Sequence, residues 1–251
     1  RHRFSEDPVR SLRAIRFSNK LNFKIDKKIK NAIYEKGYLL SNISNARIFD
    51  EFCKIFLSGM AEKNFNKLSS FGLSKFLITI EPKVNEFLHN VIFEALRNTD
   101  SRIKNNQSVT PGFLIAALLW PNLINKSLTK GEINLRKFFR SMDPILRKQQ
   151  KITAIPRKFH SYIKDIWVLQ LKLHSRIGKQ PYKTVKHPRF RAAYDLMLIR
   201  EKSFCETKNL GKWWTDFQKN DEKLKKSLIS SLKEKDMQES FKIFGFSKEL
   251  I

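Results

Sequence analysis

The 251-residue chain is 41% hydrophobic and carries 21 Phe, enough apolar material for a sizeable core and too much for a disordered tail. Its 50 Lys and Arg against 24 Asp and Glu give a formal charge of +26, an excess that attracts polyanions such as nucleic acid, an acidic membrane surface or an acidic protein. The longest apolar run, FLIAALLW from Phe113 to Trp120, is far short of the ~20 residues that a bilayer span needs, and the charged first residues lack a signal-peptide pattern.

Apolar residues recur at three-to-four spacing nearly everywhere, and Gly and Pro number only eight each, so the predicted fold is all-α. In chain order the spacing predicts helices near 8–21, 27–35, 45–58, 61–70, 83–98, 112–119, 132–151, 159–177, 188–202, 210–219 and 221–234. Asp7-Pro8 reads as a cap with Pro in the first turn, Ser44 precedes the third helix and Gly59 follows it. Thr110-Pro111 starts FLIAALLW, and Trp120-Pro121 is expected to stop it. The polar stretch from Asn98 to Gly112 reads as a loop, and a softer division falls near Gly72 to Pro82.

Cys53 and Cys205 lie in apolar helical patterns with no metal-ligand spacing, which predicts buried, reduced thiols in a cytoplasmic protein. The five histidines are scattered, and no metal site is expected in this chain.

The opening helix separates its charges. At about 100° per residue, Asp7, Arg10, Arg13, Ala14 and Phe17 share one face, while Val9, Leu12 and Ile15 form another that docks on a neighbour. An Asp and an Arg one turn apart set an acceptor beside a forked donor, which suits the edge of a nucleobase, and Arg13 and Arg16 are in reach of phosphates or carboxylates. The competing reading is local: Glu6 and Asp7 cap the helix and pair with Arg10. Arg47, four residues before Glu51, is expected to form a helix-stabilising pair with it. Of Trp213 and Trp214, one is expected to pack and the other to be partly exposed.

EDPVRSLRAIRF resembles the segment E-D-x-x-R-x-x-R-A-x-R-F of the class II nucleotidyltransferases, the group of bacterial poly(A) polymerases and CCA-adding tRNA enzymes. Glu6, Asp7, Arg10, Arg13, Ala14, Arg16 and Phe17 fill every position. SNARIFDEFCKIFLSG, TPGFLIAALLWP, AIPRKF, DIWVLQLKLHSRIGKQ, HPRFRAAYDLMLIR and WWTDFQ extend the resemblance to about residue 218, and these later segments are similar to the polymerases more than to the CCA-adding enzymes. The resemblance implies a multi-helix neck and body in which Asp7 accepts from the adenine amine, Arg10 donates to a ring nitrogen, Glu6 buttresses Arg10, and Arg13 and Arg16 hold the triphosphate or the scaffold.

It further implies ATP as substrate and the 3′ end of single-stranded RNA as partner. Two Mg²⁺ are held in that family by a D-x-D pair after a Gly-Ser turn in a catalytic head. This sequence contains neither a Gly-Ser dipeptide nor a D-x-D pair. The expectation is therefore a neck (1–80), an RNA-binding body (81–200) and a helical tail (201–251) that bind no metal and are inactive without the head. A stand-alone RNA-binding module and the equivalent part of a CCA-adding enzyme are the alternatives.

From Lys151 to Arg200 there are 12 basic residues against Asp165 and Asp195 alone, whereas the stretch from Glu201 onward holds 11 against 9. Arg157, Lys158, Lys179, Lys183, Lys186, Arg189 and Arg191 are the predicted RNA contacts, interleaved with Phe159, His160, Tyr162, Trp167, His174, Tyr182, His187 and Phe190. Trp167, Tyr194 and Leu198 sit at helical spacing and are expected in the core.

Overall fold

The three-to-four spacing resolves into thirteen α-helices and one two-stranded hairpin among the described residues, which are 2–81, 86–130, 132–204 and 209–232 of the computed structural model. The all-α expectation holds. The first arm consists of α1 (His2–Glu6), α2 (Val9–Lys20), α3 (Lys27–Lys36), a 3-10 helix at Gly37–Asn42, α4 (Asn45–Phe56) and α5 (Ala61–Ser70). The second comprises α6 (Glu86–Lys104), α7 (Pro111–Ser127), strands β1 (Leu128–Thr129) and β2 (Glu132–Ile133), α8 (Leu135–Gln150), α9 (Arg157–Lys172), α10 (Gln180–Val185) and α11 (Phe190–Phe204). Helices α12 (Leu210–Lys219) and α13 (Glu222–Ser230) close the described chain.

Helix α7 is the axle of the second arm. Every residue from Gly112 to Ile124 is buried, as befits a helix apolar on all sides, and α6, α8 and α9 pack around it. Thr110 caps it by accepting from the Phe113 N–H at 3.2 Å, with Pro111 in the first turn.

The expected stop at Trp120-Pro121 does not occur. Pro121 sits inside the helix, where a proline costs about 3 kcal/mol. Beyond it Leu123 and Ile124 are 0% and 1% exposed, and burying two such side chains contributes about 3–6 kcal/mol, so packing wins. Asn122, also past the proline, donates to the Thr79 carbonyl at 2.7 Å and accepts from the Glu81 N–H at 3.0 Å. Gln149 and Thr153 bind the Leu77 carbonyl at 2.9 and 2.8 Å, so the segment before residue 82 is tied into the core by buried side chains.

Other departures have similar causes. Helix α6 runs on to Lys104, through the first half of the predicted loop, because Thr99 is fully buried and Arg102 reaches Asp195 of α11 at 3.1 Å. Helices α1 and α10 and the hairpin are too short to show a period. Trp213 and Trp214 are both buried: Trp214 donates to the Leu173 carbonyl at 2.9 Å, and Trp213 stacks on Phe217.

One large core runs from Val9 to Ile199, and a second, built from Leu169, Leu173, Phe190, Met197, Trp214 and Phe217, joins α9, α11 and α12. Cys53 is a free, half-buried thiol, and Cys205 lies outside the described residues, as does the segment 233–251. No described helix is long and apolar enough to cross a membrane.

Candidate nucleotide- and RNA-facing sites

Pro8 breaks the chain between α1 and α2, and Asp7 stands at that joint. The docking face is as its spacing predicts: Val9, Leu12 and Ile15 are fully buried, and α2 packs on α4 and α5. The residue that immediately precedes α2 is Pro8, which offers no side-chain cap, and Asp7 lies one residue further back. One oxygen of the Asp7 carboxylate accepts from Arg47 of α4 at 2.8 Å, and the other lies 3.9 Å from both Arg10 Nε and Arg13 Nη1. Arg47 therefore reaches across 40 residues of sequence to Asp7 rather than one turn along to Glu51.

Glu51 is occupied elsewhere. Its side chain is 1% exposed, with Oε1 3.1 Å from Lys54 Nζ and 3.5 Å from Arg13 Nε, while Oε2 is buried without a hydrogen-bond partner. Arg13 thus bridges two carboxylates, and Arg10 is only loosely held. The Arg10 side chain is 49% exposed and touches Asp7 at 3.9 Å. Arg16 lays its guanidinium 4.4 Å over the Phe17 ring, and its Nε is buried without a hydrogen-bond partner. Glu6 is exposed.

Three guanidinium groups converge on one carboxylate, so the site keeps a positive excess. The Arg10 donors and the Asp7 oxygen not taken by Arg47 offer a ligand adjacent donor and acceptor groups. Nothing local in the sequence signals Arg47 in this role. The only cue is the pairing of α2 with α4, visible once the helices are packed.

The seven basic residues of the later segment fall into three places. Arg157 and Lys158 are exposed at the start of α9. Lys179, Lys183 and Lys186 line a groove of about 630 Å³ with Tyr182 and Ile229, joined by Lys226 of α13, which no local pattern singles out. Arg189 and Arg191 line a smaller cleft of about 280 Å³ with Arg102, Tyr162 and Asp195. There Arg191 Nε is 3.2 Å from Asp195, whose carboxyl is pushed above its ordinary value by burial despite Arg191 and Arg102 beside it.

The aromatics divide as well. Trp167 is fully buried and donates to the Ala116 carbonyl at 2.9 Å, and Tyr194 is buried, in keeping with the core expectation; Leu198 is half-buried against the second core. Phe190 and His174 are buried too, which removes them from the stacking surface. Tyr162 is half-buried with Arg189 4.9 Å over its ring, and Tyr182 lines the larger groove. Among the described residues no group of three or more His, Cys, Asp or Glu side chains converges as a metal site requires.

An all-α, strongly basic chain with arginines gathered on one carboxylate has the electrostatic character that attracts polyanions. Two family models match it: one described as the probable RNA and SrmB-binding site of polymerase A over residues 22–88, the other as the polymerase A arginine-rich C-terminus over residues 130–242. Poly(A) polymerase I of Salmonella typhi is 32% identical over 244 residues, covering 92% of this chain and 52% of the relative. That of Haemophilus influenzae is 36% identical over 237 residues, covering 90% and 52%. A CCA-adding enzyme of a Geobacillus species is 40% identical over 84 residues, covering 34% of this chain and 21% of the relative. The chain belongs to the bacterial poly(A) polymerase family, and it spans about half the length of the curated relatives it matches.

Proposed function

We propose that this chain is the nucleotide-selecting and RNA-holding part of a polynucleotide adenylyltransferase, which adds AMP units to RNA 3′ ends together with a catalytic head. The observation that carries the reading is the Asp7 carboxylate: it is held by Arg47 of a different helix at 2.8 Å, with half-exposed Arg10 beside it. In this reading Asp7 accepts from the adenine amine and Arg10 donates to the ring, with Glu6 supporting Arg10. Arg13, anchored on buried Glu51, and Arg16 serve the triphosphate side or the scaffold.

Residues 1–80 act as neck, 81–200 as RNA-binding body and 201–251 as tail. Arg157, Lys158, Lys179, Lys183, Lys186, Arg189 and Arg191 neutralise phosphates of a single strand. The D-x-D carboxylates of the head would hold Mg²⁺, which would supply activation of the RNA 3′ hydroxyl. What this chain contributes is base selection and grip. The free Cys53 thiol fits a reducing cytoplasm.

The test is Asp7→Ala and Arg10→Ala in a protein completed with its head. Preference for ATP over CTP should collapse, while affinity for oligo(A) stays within about twofold. Equal loss of both would show the pair to be structural. The 40% identity to a CCA-adding enzyme favours one second reading, in which the same pair accepts CTP as well as ATP; wild-type selectivity for ATP alone would exclude it.

A further inference from the structure

The first arm carries a second polyanion-facing feature that neither the Asp7 site nor the basic residues from Arg157 to Arg191 use. On α3, Lys27, Lys30 and Tyr34 recur at three-to-four spacing, Tyr38 continues the row, and all four are exposed, while Ala32 and Ile33 on the opposite face are buried. Tyr34 is 61% exposed, with its ring centroid 4.9 Å from that of Phe71 and tilted 40° to it. One part of the ring rests on Phe71 and the remainder faces solvent.

Beside this pair, Lys67 of α5 donates to Ser18 Oγ at 2.8 Å and Asn19 Oδ1 at 3.0 Å, both neutral oxygens at the end of α2. Among the described residues no carboxylate forms an ion pair with Lys67 or Lys30. Burial, and behind it the like charge of Lys30, holds the Lys67 ammonium below its ordinary pKa. Two neighbouring ammonium groups without a counter-ion call for an anion, and an exposed ring next to them calls for a flat partner. A phosphate attached to an unstacked base meets both demands. A duplex offers no free base face, and an apolar protein surface leaves both cations unneutralised.

We propose that Lys30, Lys67, Tyr34 and Phe71 form a stacking site for one nucleotide of single-stranded RNA, separate from the site at Asp7. The proposal rests on the RNA-holding reading, lies within residues 22–88 matched by the family model for a probable RNA-binding site, and adds to them the contacting residues and a mode of contact.

The experiment is fluorescence anisotropy of the chain with a labelled oligo(A) of about 20 nucleotides, across a salt series. Tyr34→Ala should weaken binding about fivefold or more, Tyr34→Phe should bind as the wild type does, and Lys30→Gln should lower the log–log salt slope by about 0.7. Circular dichroism and the melting temperature separate binding from folding: Tyr34→Phe and Lys30→Gln should melt as the wild type does, and Tyr34→Ala, which loses the ring contact with Phe71, should remain folded at the assay temperature. If the wild type binds and both Tyr34→Ala and Lys30→Gln stay within about twofold of it with an unchanged slope, the stacking site is refuted and the RNA-holding reading stands. If Tyr34→Phe loses as much as Tyr34→Ala, or polyglutamate displaces the chain as well as oligo(A) does, stacking is likewise refuted. No binding by the wild type would overturn the parent reading and this one with it.

Discussion

Arg10 and Arg13 stand three residues apart on α2, yet the structure makes one expendable for folding and the other not. Arg13 Nε lies 3.5 Å from Glu51, whose side chain is 1% exposed. Arg13→Met leaves that buried carboxylate with Lys54 alone at 3.1 Å and one oxygen still without a hydrogen bond. Stripping a buried ion of its partner costs about 3–5 kcal/mol, but the Arg13 side chain is 41% exposed and water screens the pair, so about 1–2 kcal/mol is expected.

Arg10→Met removes a 3.9 Å contact between a 49%-exposed guanidinium and a 21%-exposed carboxylate, worth about 0–0.5 kcal/mol. Urea denaturation at neutral pH, extended to Glu51→Gln and the double variant, measures both values and the coupling between Arg13 and Glu51. Equal destabilisation by Arg10→Met and Arg13→Met, or no coupling to Glu51, would refute the division of the motif into a ligand-facing and an anchoring arginine.

Trp167→Phe should cost about 1–3 kcal/mol in the same assay, because it removes the 2.9 Å bond to the Ala116 carbonyl and leaves a void against α7. Asp195 predicts an acid-range effect. Its folded carboxyl holds a proton more tightly than the unfolded one, whose ordinary value is 3.8, so its contribution to stability is full below that value and declines as pH rises through the folded value. The stability difference between wild type and Asp195→Asn, followed by urea melts from about pH 3 to 7, should carry that slope; a flat difference would contradict it. Replacing Lys179, Lys183 and Lys186 together by Gln should lower the salt slope of RNA binding by about 2, at about 0.7 for each phosphate no longer neutralised, and an unchanged slope would remove the groove from the RNA path.

The limits of local pattern show at particular residues. Periodicity located α2, α3, α4, α5 and α12 to within two residues at each end, because an amphipathic face repeats every turn and its caps and glycines mark the ends. Pro121 misled because its local cost is real but smaller than the burial on three sides of α7, which no window of sequence contains. Arg47 and Glu51 misled in the opposite way. At i,i+4 they are natural partners, yet Asp7, at the joint before α2, and Arg13 of α2 took their places. Trp213 and Trp214 face different ways, and both directions are core, since α13 covers what the main bundle leaves open.

The order of residues alone determined an all-helical, strongly basic chain, the buried face of its opening helix, and an acid–arginine motif of a nucleotidyltransferase type. Those properties follow from spacing along one helix and from total charge, which are set before any two helices meet. Which arginine holds Asp7, which one is spent on Glu51, and how seven cations divide among a helix start, a groove and a cleft were decided only by packing. Ion pairs form between whatever the buried faces bring within about 4 Å, and that choice is made by shape complementarity across tens of residues rather than by sequence neighbours.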